Sequence, residues 1–378
     1  MIIAVLFIAT FFLAYNNGAN DNFKGVATIY GSGLMDFKPA LWLATFAIIA
    51  GSISAIFVAN GLVASFSGKG LVPQDIAGTT DFLIAVGFGA GTTVLLATRL
   101  GFPISTTHAL VGSLVGTGFM AVGFDINIQK LSGAFVIPLL VSPFIAFALG
   151  IIVYSTFIRM RKKMGISKES CVCLGKQKEF VPIKSLSNEQ AVSVAVQMNI
   201  INPNNLHVEI SNHATCVNIY TKKMFGFSIQ KVLDSAHILS GAAVSFARGL
   251  NDTPKIAGLL VAAKAYDIRF GLIAIALGMA IGGLLNSRKV AETMSKKITT
   301  LNHGQGFSAN LVTSFLVIVA SKFGVPVSTT HVSVGAIFGI GMVTKNSNPS
   351  VVKSILLSWV ITLPVGMFFS ALAYWIIS

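Results

Sequence analysis

Apolar residues run through this chain in long blocks, near 2–15, 40–66, 82–98, 106–124, 131–158, 256–263 with 270–285, 307–321, 327–343 and 351–377. Most approach the roughly 20 residues that a membrane-spanning helix needs, and the shorter ones predict re-entrant or discontinuous helices. Alternating runs are too few for an outer-membrane barrel, whose strands of about 10 residues would place apolar and polar side chains on opposite faces. One long polar stretch interrupts the pattern. It divides the chain into an apolar half (1–158), a polar insert (159–231) and a second apolar half (232–378). Inside the insert, the alternation of Ala191-Val192-Ser193-Val194-Ala195-Val196 and of His207-Val208-Glu209-Ile210 predicts short strands, with Asn202-Pro203-Asn204-Asn205 as a turn. From Phe227 an amphipathic stretch is expected to lie at the membrane interface before the second bundle.

Composition places the chain in lipid. Apolar residues make up 54% and charged residues 11%, where a soluble domain has about a quarter charged. The net charge of +14 would suit nucleic acid, but its distribution does not. Eleven of the 27 basic residues lie between Arg159 and Lys231, in the polar insert. The Arg159-Met160-Arg161-Lys162-Lys163 cluster directly after an apolar block marks that end as cytoplasmic. The expected partner is therefore a bilayer, the plasma (inner) membrane, crossed several times, and no nucleic acid. Met1 to Phe7 lacks a basic leader and reads as a retained span. Cys171, Cys173 and Cys216 all fall in the insert, and a lone Cys-x-Cys is a weak metal signal.

Two motifs recur in the same order. Ala97-Thr98-Arg99-Leu100-Gly101-Phe102-Pro103-Ile104-Ser105-Thr106-Thr107-His108 returns as Ala320-Ser321-Lys322-Phe323-Gly324-Val325-Pro326-Val327-Ser328-Thr329-Thr330-His331, with seven of twelve positions identical. Gly18-Ala19-Asn20-Asp21-Asn22-Phe23-Lys24 aligns with Gly249-Leu250-Asn251-Asp252-Thr253-Pro254-Lys255. The halves are therefore repeats, and an odd number of crossings in each would invert one against the other. The expected fold is an all-α membrane protein, a polytopic bundle of two inverted-topology repeats with discontinuous helices. The insert is then cytoplasmic and both termini outside.

The repeated residues carry the chemistry. Pro103 and Pro326 end one helix, and Ser105-Thr106-Thr107 and Ser328-Thr329-Thr330 open the next. Free N–H groups and hydroxyl donors there make an anion site without a trapping charge. N-capping alone is the structural alternative. An ionised Asp at mid-membrane costs roughly 2.5–3.5 kcal/mol, so Asp21 and Asp252 need partners. Capping, or pairing with Lys24 and Lys255 at i, i+3, would supply them. The functional reading makes the carboxylates and the oxygens of Asn20 and Asn251 hard ligands for a small cation, sodium at Asp21 and Asp252. An anion beside two carboxylates is repelled unless cations intervene, which predicts cation-coupled symport.

Other residues are read more modestly. His108 and His331 follow the hydroxyl triplets and sense protons, contact the anion, or simply pack. Lys24, Lys255, His108 and His331 are candidates to support the groups that touch the ions. Glu292, among Arg288, Lys289, Lys296 and Lys297, reads as an interfacial ion-pair partner. Gly112-x-x-x-Gly116 and Gly335-x-x-x-Gly339 have the spacing of close helix approach.

On Gly18-Ala19-Asn20-Asp21, Gly249-Leu250-Asn251-Asp252 and the two Pro-x-Ser-Thr-Thr-His segments, the chain strongly resembles the inorganic phosphate transporter family. The resemblance implies a homodimer of inverted repeats with re-entrant hairpins. It also implies phosphate held by the Ser-Thr-Thr segments and sodium or protons at the Asn-Asp pairs, with no cofactor beyond these ions. Leu250 in place of Ala19, and Thr253-Pro254 in place of Asn22-Phe23, predict unequal cation sites. The family includes sulfate carriers, so a sulfate or other oxyanion permease is the alternative within transport. A membrane-embedded hydrolase using Asp and His is the alternative outside it. The hydrolase predicts an asymmetric site, whereas every candidate here has a repeat partner; the expectation is a transporter and not an enzyme.

Overall fold

The structure is a computed structural model that describes residues 2–165, 170–178, 201–212, 225–263, 268–297, 301–345 and 349–378. Its long helices follow the apolar blocks. The first half contributes α1 (Ile2–Asp21), α2 (Phe37–Val58), α3 (Thr80–Leu100), α4 (Thr106–Val122) and α5 (Ile137–Lys163). The second contributes α6 (Ile229–Ala262), α7 (Ile268–Asn286), α8 (His303–Lys322), α9 (Thr329–Thr344) and α10 (Pro349–Ile377). The order of elements is the same in both halves. Among the described residues, seven helices are long and apolar enough to cross a membrane, and α4 and α9 are shorter apolar helices. Large apolar side chains such as Phe46, Phe144, Phe368 and Trp375 face outward, as a lipid-embedded bundle requires.

The two breaks are built alike. At the end of α3, Gly101 turns into the left-handed region (φ 76°). Its N–H reaches the Thr98 carbonyl at 3.0 Å, while Phe102 N–H reaches Ala97 at 2.9 Å. Gly324 (φ 68°) repeats this after α8, with its N–H on Ser321 at 3.1 Å and Val325 N–H on Ala320 at 2.9 Å. This closing pattern needs a residue without a Cβ penalty at positive φ, which is why glycine stands there in both copies. Proline two residues later prevents resumption of the same helix, and a new one starts at Thr106 or Thr329.

Glycines also show how the halves pack. A Cβ on Gly18 of α1 would strike the Met279 carbonyl of α7, and one on Gly249 of α6 would strike the Ile48 carbonyl of α2. Gly112 and Gly116 of α4 abut the Leu363 and Met367 carbonyls of α10; Gly335 and Gly339 of α9 abut those of Pro143 and Phe147 in α5. Each of these contacts joins one half to the other, with backbone against backbone. The Gly-x-x-x-Gly packing expected from the sequence is present, and it interlocks the repeats. One apolar core accordingly mixes Leu13, Val86, Val94 and Leu110 with Ile256, Leu260, Ile275 and Met279.

Residues 1–155 with 237–378 form one compact unit, and 156–236 form another. Within the second, β1 (Ser170–Lys178) pairs antiparallel with β2 (Ile201–Asn212) and β3 (Phe225–Ser228), in the order β2-β1-β3. Asn202-Pro203-Asn204-Asn205 is not the expected turn. It lies within β2, where pairing jumps from Lys176↔Leu206 to Lys178↔Ile201, so these residues bulge out of the ladder. Such a bulge suits a proline, which has no N–H to give. The 207–210 strand is present, whereas the strand expected at 191–196, and Cys216, lie outside the described residues. After β3 ends at Ser228, α6 runs unbroken for 34 residues through Asn251, Asp252 and Pro254.

Candidate functional site

The ends of α1 and the middle of α6 meet the starts of α4 and α9 inside the membrane unit. Asp21, Lys24, Arg248, Asp252, Lys255, Thr106, Thr107, Thr329 and Thr330 are all at most 4% exposed. Capping explains part of the motif pair but not its charges. Asp21 precedes a 3-10 turn (Asn22–Gly25) without capping it, and Asp252 sits in mid-helix. The ion pairs at i, i+3 are formed: Lys24 with Asp21, and Lys255 with Asp252 at 3.3 Å. Buried pairs of this kind hold only when their remaining hydrogen-bonding capacity is filled.

For the lysines it is filled by a carbonyl of the same half and a hydroxyl of the other. Lys24 Nζ donates to the Ile104 carbonyl at 2.7 Å and to Thr330 Oγ1 at 2.9 Å. Lys255 Nζ donates to the Val327 carbonyl at 2.7 Å and to Thr107 Oγ1 at 2.8 Å. Ile104 and Val327 are equivalent positions, each just past the proline of a break, where the helix ladder leaves a carbonyl free. Thr330 Oγ1 donates in turn to Ile104 at 3.2 Å, and Thr107 Oγ1 to Val327 at 3.4 Å. The two clusters repeat one another, residue for residue. The lysines therefore stand in the centre, against the carboxylates of Asp21 and Asp252.

The three hydroxyls of each triplet have different tasks. Ser105 and Ser328 are N-caps, accepting from His108 N and His331 N at 3.2 Å. Thr107 and Thr330 hold the lysines. Thr106 and Thr329 face the acidic and basic groups: Asn17 Nδ2 donates to Thr106 Oγ1 at 2.8 Å, and Thr106 Oγ1 donates to Asp21 Oδ2 at 3.3 Å. Arg248 Nη1 donates to Thr329 Oγ1 at 2.7 Å. The asparagines clamp the breaks. Asn20 Nδ2 donates to Thr98 Oγ1 at 2.9 Å and to the Phe102 carbonyl at 3.0 Å. Asn251 Nδ2 donates to Asp252 Oδ1 at 2.8 Å and to the Val327 carbonyl at 3.3 Å.

Arg248 is the residue that repeat comparison overlooks. Its counterpart in the first half is the neutral Asn17, so an alignment that highlights shared residues passes over it. It is fully buried, its Nε and Nη2 have no hydrogen-bond partner among the described residues, and its Nη1 lies 4.0 Å from Asp21 Oδ2. A cation immediately before Gly249-Leu250-Asn251-Asp252, in the second apolar half, was the available signal. With it the centre holds, among the described residues, three cations against two carboxylates, a surplus of one positive charge. The carboxylates are thus already neutralised, and two guanidinium donors remain open to an anion.

The histidines sit beside this centre. Their ring centroids are 4.4 Å apart, and His331 stacks on Trp359 at 3.6 Å. His108 Nδ1 lies 3.1 Å from Ser105 Oγ, and His331 Nδ1 3.5 Å from the Leu139 carbonyl. These contacts place both rings at the meeting point of α4 and α9. Glu292 pairs with exposed Arg288 at 3.5 Å, away from the centre, as the sequence predicted.

Comparison with known proteins agrees with this architecture. A sequence model described as the phosphate transporter family matches residues 17–370. A candidate phosphate permease of Haemophilus influenzae is 29% identical over 410 residues, covering 97% of this chain and 94% of the relative. A chloroplastic inorganic phosphate transporter of Arabidopsis thaliana is 27% identical over 423 residues, covering 97% of this chain and 70% of its own. Among solved structures, one titled the sodium-dependent phosphate transporter superposes with a TM-score of 0.74 at 25% identity. That alignment covers 99% of this chain and 98% of the other.

Proposed function

The chain belongs to the phosphate transporter family, and we propose that it imports inorganic phosphate across a plasma membrane by alternating access, in symport with sodium or a proton. One observation carries the reading. Two helix starts with hydroxyls, related by the repeat, converge on a buried centre with a surplus positive charge and two guanidinium nitrogens, Nε and Nη2 of Arg248, that have no partner among the described residues. Helix N-termini and charge-assisted donors of this kind suit a tetrahedral oxyanion.

In this reading Thr106, Thr329, Asn17 and Arg248 face the phosphate. Ser105, Thr107, Ser328 and Thr330 position the helix starts, Asn20 and Asn251 hold the breaks, and Asp21 and Asp252 are the coupling carboxylates. The site residues are buried, which suits an occluded step of alternating access. The matched contacts of the two halves favour transport over a hydrolase, which has no use for two equivalent clusters. The Arg159–Lys163 cluster supports a cytoplasmic insert and termini outside, and a homodimer is the proposed assembly.

Uptake of labelled phosphate into proteoliposomes, with sodium and pH gradients imposed separately and with sulfate as competitor, tests this function. Phosphate accumulation driven by at least one gradient is expected. Uptake no higher than in empty vesicles under every gradient, or complete competition by equimolar sulfate, would refute a phosphate importer.

A further inference from the structure

We infer that Lys24 and Lys255 act as tethered cations, occupying the two repeat-related oxygen sites beside the anion position, so that this protein binds phosphate without sodium. The inference rests on the phosphate reading above and deepens it. Each ammonium group has three N–H donors, and each finds three oxygens of three different kinds. For Lys24 these are the Asp21 carboxylate, the Ile104 carbonyl and the Thr330 hydroxyl. For Lys255 they are the Asp252 carboxylate, the Val327 carbonyl and the Thr107 hydroxyl. Carboxylate, carbonyl and hydroxyl oxygens are what a hard monovalent cation takes, and an ammonium is a compact unit charge able to stand in its place.

Geometry adds to this. All three donors of each lysine are committed, so neither ammonium is a free hand for phosphate, unlike Arg248. Each also joins a carboxylate and a carbonyl of one half to a hydroxyl of the other, which is the bridging work expected of a bound ion. A mobile sodium ion on the same oxygens would sit against the ammonium, and like charges at such a distance in a dry site repel strongly. The charge balance agrees, since the two lysines cancel the two aspartates and leave Arg248 for the anion. Tying the cation to the chain removes the need to recruit one from solution.

The test uses purified full-length protein and labelled phosphate binding in sodium chloride and in choline chloride at equal ionic strength. Wild type is expected to bind equally in both, within about twofold. Binding in sodium alone overturns the inference and leaves the phosphate function standing; binding in neither salt overturns the function itself. Lys24→Ala and Lys255→Ala vacate the oxygens. They are expected to weaken binding at least about tenfold in choline and to regain it in sodium, which now has a site to fill. An alanine variant that is monodisperse and binds phosphate in choline as wild type does would also overturn the inference. If neither variant folds, the wild-type comparison decides alone.

Discussion

Replacing Arg248 by Asn puts into the second half the residue that the first half carries at the same place, Asn17. The change removes a full charge and the two open donors, Nε and Nη2. Hydrogen bonds to charged groups contribute about 1.5–3 kcal/mol each, so the two together account for roughly 3–6 kcal/mol of anion binding. At about 1.4 kcal/mol per decade this is an affinity loss of about 10²- to 10⁴-fold. Folding should suffer less. Asp21 keeps Lys24, Asn17 and Thr106 as partners, and Arg248 lies at the outer limit of an ion pair from it, at 4.0 Å. Arg248→Lys keeps the charge without the planar fork and should fall between the two. The assay is equilibrium binding of labelled phosphate to protein in nanodiscs, with thermal unfolding measured alongside. If Arg248→Asn binds phosphate within twofold of wild type and melts at the same temperature, the guanidinium is not an anion ligand and the charge argument fails.

Further expectations concern the rest of the site and its frame. Thr106→Val and Thr329→Val should each weaken phosphate binding about tenfold in isothermal titration, as loss of one hydrogen bond to an anion implies; unchanged affinity in both would rule out the hydroxyls. Asp21→Asn should lower the melting temperature more than Asp252→Asn does. Asp21 is shared by Lys24, Asn17, Thr106 and neighbouring Arg248, whereas Asp252 has Lys255 and Asn251, with Oδ2 unpartnered. Breaking a buried pair costs about 3–5 kcal/mol, so equal melting temperatures for the two variants would contradict this asymmetry. Gly335→Ala presses a methyl into the Pro143 backbone, which cannot turn aside as a side chain can, and should cost about 1–3 kcal/mol. Gly133→Ala meets nothing within 4 Å and serves as the control.

The helices and their breaks were legible because each depends on neighbours in sequence. Gly101 and Pro103, or Gly324 and Pro326, dictate where one helix ends, and Ser105 or Ser328 dictates where the next begins. The central site was legible only in part. The i, i+3 spacing of Asp21 and Lys24 shows their pairing, but the reach of Lys24 to Thr330 depends on two halves meeting 306 residues apart. That distant contact turns a supporting ion pair into the core of the site. Arg248 escaped for the opposite reason, since repetition exposes what is shared and hides what differs. Glycine spacing likewise marks a close-packing face without naming its partner. In the insert, Asn-Pro-Asn-Asn has strong turn chemistry, but the ladder between β1 and β2 closes around it and leaves it as a bulge.

The interlocked glycine contacts also bear on how the chain is made. Gly18 in α1 meets its partner at Met279, and Gly112 in α4 meets its own at Leu363. A ribosome adding about 5–20 residues per second reaches Met279 roughly 15–50 seconds after Gly18. Throughout that interval the first half has its partner faces unfilled, and its buried pair Asp21 and Lys24 lacks the contacts that Thr330 and Arg248 supply. Premature release or delay of the second half would leave those faces open to lipid or to other chains. Quality control of this protein should therefore act on nascent first halves, and the two halves expressed as separate chains should rescue one another where either alone is degraded.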